Sequence, residues 1–170
     1  MEYREKLKKI KAFAFDVDGV YSSFMITLPG GEMLRTMDSK DGLITRLALN
    51  AGFKIAIITL GDSESVKARF NRFGITDDYY DSSVITTNSK LTALEMFAKK
   101  HGLEFDEIMY GGDDLPDIEC LKKAGLGVCP ADAVEEVRTV ADYVSTRKGG
   151  QSFVREVIES VLKTQNVKYF

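Results

Sequence analysis

The chain has 170 residues and a near balance of charge, 23 Lys plus Arg against 26 Asp plus Glu, for a net charge of −3. That length fits one ordinary domain, residues 1–170, which should bury roughly 70% of the surface its unfolded chain exposes and so needs no staple. The charge balance gives no reason to expect nucleic acid as a partner. No apolar run is long enough for a membrane span, and residues 1–11 are charged where a signal peptide is apolar, so a cytoplasmic protein is expected.

The predicted elements come in a regular order. A fully apolar strand, 12–15, opens the chain. A β-hairpin follows, with arms at 24–28 and 33–37 about a Pro29-Gly30-Gly31 turn. From there helices and strands alternate: helix 42–50, strand 54–58, helix 63–73, short strand 78–80, helix 90–100, strand 107–110, helix 116–123, strand 126–129, helix 134–140, strand 142–145 and helix 152–163. Gly52, Gly74, Gly102 and Gly125 stand just past helix ends, where a left-handed residue closes the last turn. Pro116 stands in a first turn, where its missing N–H does no harm. His101 is expected to meet the dipole at its helix end. Cys120 and Cys129 lack metal-ligand spacing and read as buried thiols. Strand-helix alternation with covered strands predicts an α/β fold, a Rossmann-like doubly wound parallel sheet from which the hairpin projects.

Ligands of such a sheet bind beyond the carboxyl ends of its strands. The polar residues there are Asp16 and Asp18 after the first strand, Thr59 after the second main strand, and Asp113, Asp114 and Asp117 after the third. Lys90 opens a helix near Asn88-Ser89. Any one of these alone would pass as a turn, cap or solvated charge. Together they form a carboxylate cluster, which raises its own pKa values unless a cation neutralises it. Mg²⁺ suits one or two carboxylates, waters and a phosphate oxygen. Lys90 and Thr59 can hold phosphate oxygens, and a carboxylate in line with phosphorus can attack it. Spacing does not say which of Asp16 and Asp18 attacks.

Phe15-Asp16-Val17-Asp18-Gly19-Val20, Ile57-Ile58-Thr59, Lys90 and Gly112-Asp113-Asp114-Leu115-Pro116-Asp117 resemble the four motifs of the haloacid dehalogenase superfamily. The resemblance implies Asp16 as nucleophile and Asp18 as general acid/base. It implies Mg²⁺ on Asp16, the Asp18 carbonyl and Asp113, with Asp114 and Asp117 supporting that shell and Thr59 and Lys90 on the phosphoryl group. The gaps between motifs leave no room for a cap domain. From about residue 10 to 162 the chain is similar to the capless, tetrameric phosphatases of 3-deoxy-D-manno-octulosonate 8-phosphate. Ser39-Lys40-Asp41-Gly42, Arg147-Lys148-Gly149-Gly150 and Val154-Arg155-Glu156 carry that closer likeness. It implies a sugar phosphate substrate of lipopolysaccharide precursor synthesis and a homotetramer whose subunits close one another's sites, in part through the tail 166–170. Lys148, Gly149 and Gly150 would lie near the substrate. Arg69, and less so Arg72, would meet the sugar-acid carboxylate.

Two positions depart from that family. Thr59-Leu60-Gly61 stands where it has Thr-Gly, and Ser152 stands where it has Gly. Related phosphatases of nine-carbon keto-deoxy sugar phosphates, some with Glu at the position of Gly61, are the alternative, and Gly61 favours the eight-carbon substrate. A non-catalytic oligomerisation module and a receiver domain are the other classes. Complete motifs count against the first, and Asp-X-Asp after strand one counts against the second.

Overall fold

The computed structural model describes residues 3–31, 33–61, 64–76, 78–81 and 89–169. The expected start of one helix, Ser63, and the last residue of the tail, Phe170, lie outside them. In chain order the elements are α1 (Tyr3–Lys9), β1 (Ala12–Phe15), β2 (Ser22–Thr27), β3 (Met33–Met37), α2 (Ser39–Asn50), β4 (Lys54–Thr59), α3 (Glu64–Asn71), β5 (Tyr79–Asp81), α4 (Lys90–His101), β6 (Ile108–Gly111), α5 (Ile118–Lys123), β7 (Leu126–Cys129), α6 (Glu135–Val140), β8 (Tyr143–Val144) and α7 (Phe153–Thr164). A six-stranded sheet runs β5-β4-β1-β6-β7-β8, every described pair parallel. β2 and β3 form the separate antiparallel hairpin, its register slipping between Ser22 and Met25.

Alternation along β1 divides the core. Phe13 and Phe15 face one side with Ile55 and Ile57 of β4, under α2, α3 and α7. Ala12 and Ala14 face the other with Ala56 and Ile58, under α4, α5 and α6. The small residues let α4 and α5 lie close to the sheet, while the phenylalanines fill the wider side. In α7, Phe153, Val154, Val157, Ile158, Val161 and Leu162 are buried, a spacing that puts one apolar stripe on the sheet. Both cysteines are buried and unpaired. Among the described residues no helix is long and apolar enough to cross a membrane.

The expected boundaries shift by a few residues, and two readings change in kind. The charged N-terminal stretch is helical, α1, held by one buried side chain, Leu7, and by the Gln165 amide donating to the carbonyls of Leu7 and Ile10 at 2.9 and 2.7 Å. Gly52, Gly74 and Gly102 do have positive φ, but Gly125 does not. The residue closing α5 is the extended Ala124, and a Cβ at Gly125 would collide with the Asp106 backbone. His101 does close α4, and its Nε2 also lies 3.0 Å from Asp78.

The stretches that carry the closer resemblance meet around the start of α7. Asp41, wholly buried in the first turn of α2, accepts the Arg155 N–H at 2.7 Å, and burial pushes its carboxyl up to about 7. Ser152, just before α7, takes φ 67° and ψ 22°, a conformation that glycine adopts far more readily. Its hydroxyl donates to Asp38 at 2.6 Å, offsetting that strain. Ser152→Ala keeps the strain and loses the bond, and should lower stability by about 1–2 kcal/mol. Ser152→Gly loses both and should melt between Ser152→Ala and the parent in thermal denaturation.

Candidate active site

The site forms where the strand order reverses at β1, with β4 on one side and β6 on the other. Asp16 leaves β1 with its N–H bonded to the Gly111 carbonyl of β6 at 3.0 Å. The chain then turns tightly, the Val17 carbonyl accepting the N–H groups of Val20, Tyr21 and Ser22 at 2.9–3.2 Å. Gly19 makes this turn at φ 84°, and any Cβ there would overlap the Asp113 carboxylate. The first and last motifs thus meet face to face only because residue 19 has no side chain.

Behind them lies a buried ion network. Lys90, the first residue of α4, is 4% exposed, and its Nζ is 2.9 Å from Asp16 and 2.8 Å from Asp117. The same Asp117 oxygen accepts the Tyr110 hydroxyl at 2.6 Å, while the other accepts the N–H groups of Asp113 and Asp114 at 3.0 and 3.3 Å. With four donors, Asp117 is saturated. Asp113 is not: its Oδ1 is buried and has no hydrogen-bond partner among the described residues. Oxygen atoms of Asp16, Asp113 and Asp117 lie within 4.8 Å of one another.

This crowding shows in the ionisation. Burial first, then the charge of Asp117, pushes Asp16 up to about 7 despite the opposing Lys90. Burial and the charges of Asp16 and Asp117 push Asp113 up to about 8. Burial would lower the Lys90 pKa, but the two aspartates outweigh it and hold the ammonium above its usual value. An orphaned carboxylate oxygen among hard oxygen donors fits a hard divalent cation.

In front is a cavity of about 350 Å³ whose lining includes Asp16, Asp18, Thr59, Lys90, Asp113 and Asp114. Thr59 ends β4 almost fully buried, its hydroxyl accepting the Gly61 N–H at 3.1 Å. Asp114 is exposed and caps the short 3₁₀ turn Leu115–Asp117. Asp18 is held by an interaction the sequence does not announce. Arg35 of β3 forks onto it, Nε to Oδ1 at 2.7 Å and Nη2 to Oδ2 at 3.1 Å, and the Ser22 hydroxyl adds a bond to Oδ1 at 3.0 Å. Arg35, Ser22 and Tyr110 are the site residues that sequence reasoning misses. The one signal for Arg35 is that it is the single charge in the hairpin arm 33–37.

The four remaining expected residues are not in this cavity wall. Arg69 lines a neighbouring cavity between β3 and α3, with Arg35 and Met33, and stacks on Phe73 at 5.1 Å. Lys148 is exposed. Gly149 and Gly150 press on the back of the first motif loop. The Gly150 N–H bonds the Val20 carbonyl at 2.7 Å, and a Cβ on Gly149 would overlap the Gly19 carbonyl.

Comparison with known proteins agrees with this geometry. Residues 56–154 match the haloacid dehalogenase-like hydrolase family. Over 161 residues the chain is 35% identical to the 3-deoxy-D-manno-octulosonate 8-phosphate phosphatase of Escherichia coli (strain K12), covering 94% of this chain and 83% of that one. The phosphatase of the same name from Moraxella catarrhalis, solved with magnesium ion, phosphate ion and KDO, superposes with a TM-score of 0.88 at 37% identity, over 96% of this chain and 91% of that one. A cobalt-bound phosphatase of that substrate from Haemophilus influenzae gives a TM-score of 0.87 at 27% identity, over 95% and 92% of the two chains. The chain belongs to the haloacid dehalogenase superfamily, within its 3-deoxy-D-manno-octulosonate 8-phosphate phosphatase family.

Proposed function

We propose that the protein is a cytoplasmic, Mg²⁺-dependent phosphatase that hydrolyses 3-deoxy-D-manno-octulosonate 8-phosphate, a step of lipopolysaccharide precursor synthesis. The observation that carries this reading is the Asp16–Lys90–Asp117 network beside the unpartnered oxygen of Asp113. Asp16, Asp113 and the Asp18 carbonyl would hold the cation, which supplies charge neutralisation for an incoming phosphate. Asp117, bonded to four donors, keeps Lys90 and the Asp113 loop in place, and Asp114 caps the turn beside it.

Asp16 attacks phosphorus and becomes an aspartyl phosphate, while Asp18 protonates the leaving sugar oxygen. Asp18 then takes a proton from water, whose oxygen attacks phosphorus and frees Asp16. Lys90 and the Thr59 hydroxyl bind the phosphoryl oxygens as charge moves onto them. Arg69 and Lys148 would meet the sugar acid once a neighbouring subunit completes the pocket, while Gly149 and Gly150 hold the first motif loop from behind. Asp16→Asn should reduce kcat by roughly 10⁴-fold or more with the fold intact. Chelation should stop phosphate release and added Mg²⁺ restore it, measured on a panel that includes eight- and nine-carbon keto-deoxy sugar phosphates.

The raised carboxyls give metal binding a defined pH dependence. An unfolded aspartate ionises near about 3.9, whereas folded Asp16 and Asp113 hold their protons to about 7 and about 8. Without a cation, therefore, both groups make the fold less stable as pH rises from about 4 to about 8. A divalent cation binds the ionised forms and releases protons. Calorimetric titration should show Mg²⁺ affinity rising with pH up to about 8 and then levelling, with proton release shrinking over the same range.

The hairpin supports a homotetramer. Phe24, Ile26 and Leu34 are 67%, 55% and 54% exposed, an apolar face expected to be covered by another chain. Sedimentation should report four chains per particle. Ile26→Asp with Leu34→Asp should yield smaller species whose turnover of the sugar phosphate falls at least about tenfold, as completion of the pocket is lost.

A further inference from the structure

Arg35 is not among the residues expected in the site, yet its side chain is only 6% exposed and forks onto Asp18. The fork makes the two oxygens of that carboxylate unequal. Oδ1 accepts both Arg35 Nε and the Ser22 hydroxyl, which uses its two lone pairs. Oδ2 accepts Arg35 Nη2 and, among the described residues, keeps one lone pair. It is also the oxygen that faces Gly61 and Thr59, the side on which the phosphatase reading puts the phosphoryl group: a Cβ at Gly61 would lie 3.4 Å from it and 3.7 Å from Thr59 Oγ1. The same Cβ would lie 3.1 Å from Arg35 Nη2, so the bare Gly61 leaves the guanidinium its place.

Resting on the phosphatase reading, we infer that Arg35 is the positioning residue of the general acid/base: its fork saturates Oδ1 and presents Oδ2 to the leaving group as the oxygen that carries the proton. In the first half-reaction the Asp16–P bond forms, the P–O bond to the sugar breaks, and the proton on Oδ2 moves to the departing oxygen. In the second, water's oxygen bonds phosphorus, the Asp16–P bond breaks, and water's proton returns to Oδ2. Arg35 keeps its charge throughout, since the facing carboxylate holds the guanidinium above its usual pKa. A planar fork is needed for this selection, because a lysine offers a point charge without a fixed orientation.

The test compares two leaving groups on the Mg²⁺-loaded enzyme and its Arg35→Lys and Ser22→Ala variants, each checked for unchanged melting temperature. A sugar phosphate needs its leaving oxygen protonated, and p-nitrophenyl phosphate does not. Arg35→Lys should lower kcat on the sugar phosphate about 100-fold with KM little changed. On the nitrophenyl ester it should leave the first half-reaction at the parent rate and slow the second, giving a burst of one nitrophenolate per site. Ser22→Ala should move both readouts the same way, by less. Unchanged turnover in both variants, an effect confined to KM, or equal loss of the first half-reaction with both esters would overturn the inference while leaving the phosphatase standing. A parent enzyme that hydrolyses neither ester with Mg²⁺ would overturn both.

Discussion

One ammonium buried between two carboxylates sets the terms for everything around it. Taking Lys90 out of water costs several kcal/mol unless facing charges and hydrogen bonds offset it. Asp16 and Asp117 supply that offset at 2.9 and 2.8 Å, but two anions against one cation leave the cluster negative, and Asp113 adds a third acid. The fold answers unevenly. Tyr110 and two backbone amides are spent on Asp117, while Asp16 and Asp113 keep raised pKa values. Asp16 and Asp113 are thereby left electrostatically unfinished, and Asp117 is finished.

Holding such a cluster together requires close approach to the backbone of the first motif loop from both sides, by a side chain on one and by backbone on the other. The first motif loop is pressed between Asp113 on one side and Gly149 on the other, and neither contact would survive a side chain at Gly19 or Gly149. Gly149 is fixed in turn by its N–H to Asp132 at 2.9 Å, and the segment after it runs into α7. Asp41 and Asp38 of the β3–α2 region clamp the start of that helix through Arg155 and Ser152. Residues far apart in sequence thus act as one brace behind the loop that carries Asp16 and Asp18.

This brace explains what was legible in the sequence. Strands β1, β4 and β6 read easily because a parallel strand buried on both faces is a plain apolar run. The hairpin read easily because Pro29-Gly30-Gly31 can do little but turn. Helix α1 was hidden because its seven residues bury one side chain and show no period. Gly125 misled because two different needs, a left-handed turn and a close approach, select the same residue. The rim aspartates, Thr59 and Lys90 could be placed at strand and helix ends. The unequal treatment of Asp16, Asp113 and Asp117 could not, because it depends on donors from three separate elements.

Arg35 is the most informative omission. Read along β3 it is a charge on a two-stranded ribbon, where a solvated side chain is the ordinary outcome. In the fold the ribbon leans over the sheet, and Arg35 pairs in register with Met25, which lines the catalytic cavity. The hairpin therefore touches the chemistry at two points of one rung, through a side chain in the cavity wall and through the fork on Asp18. A chain covering Phe24, Ile26 and Leu34 would press on that same ribbon. Where a cap domain would close over a substrate from above, a second chain seated on this ribbon would act through the hairpin on Asp18, because the exposed apolar face and the fork on that carboxylate share one short piece of backbone.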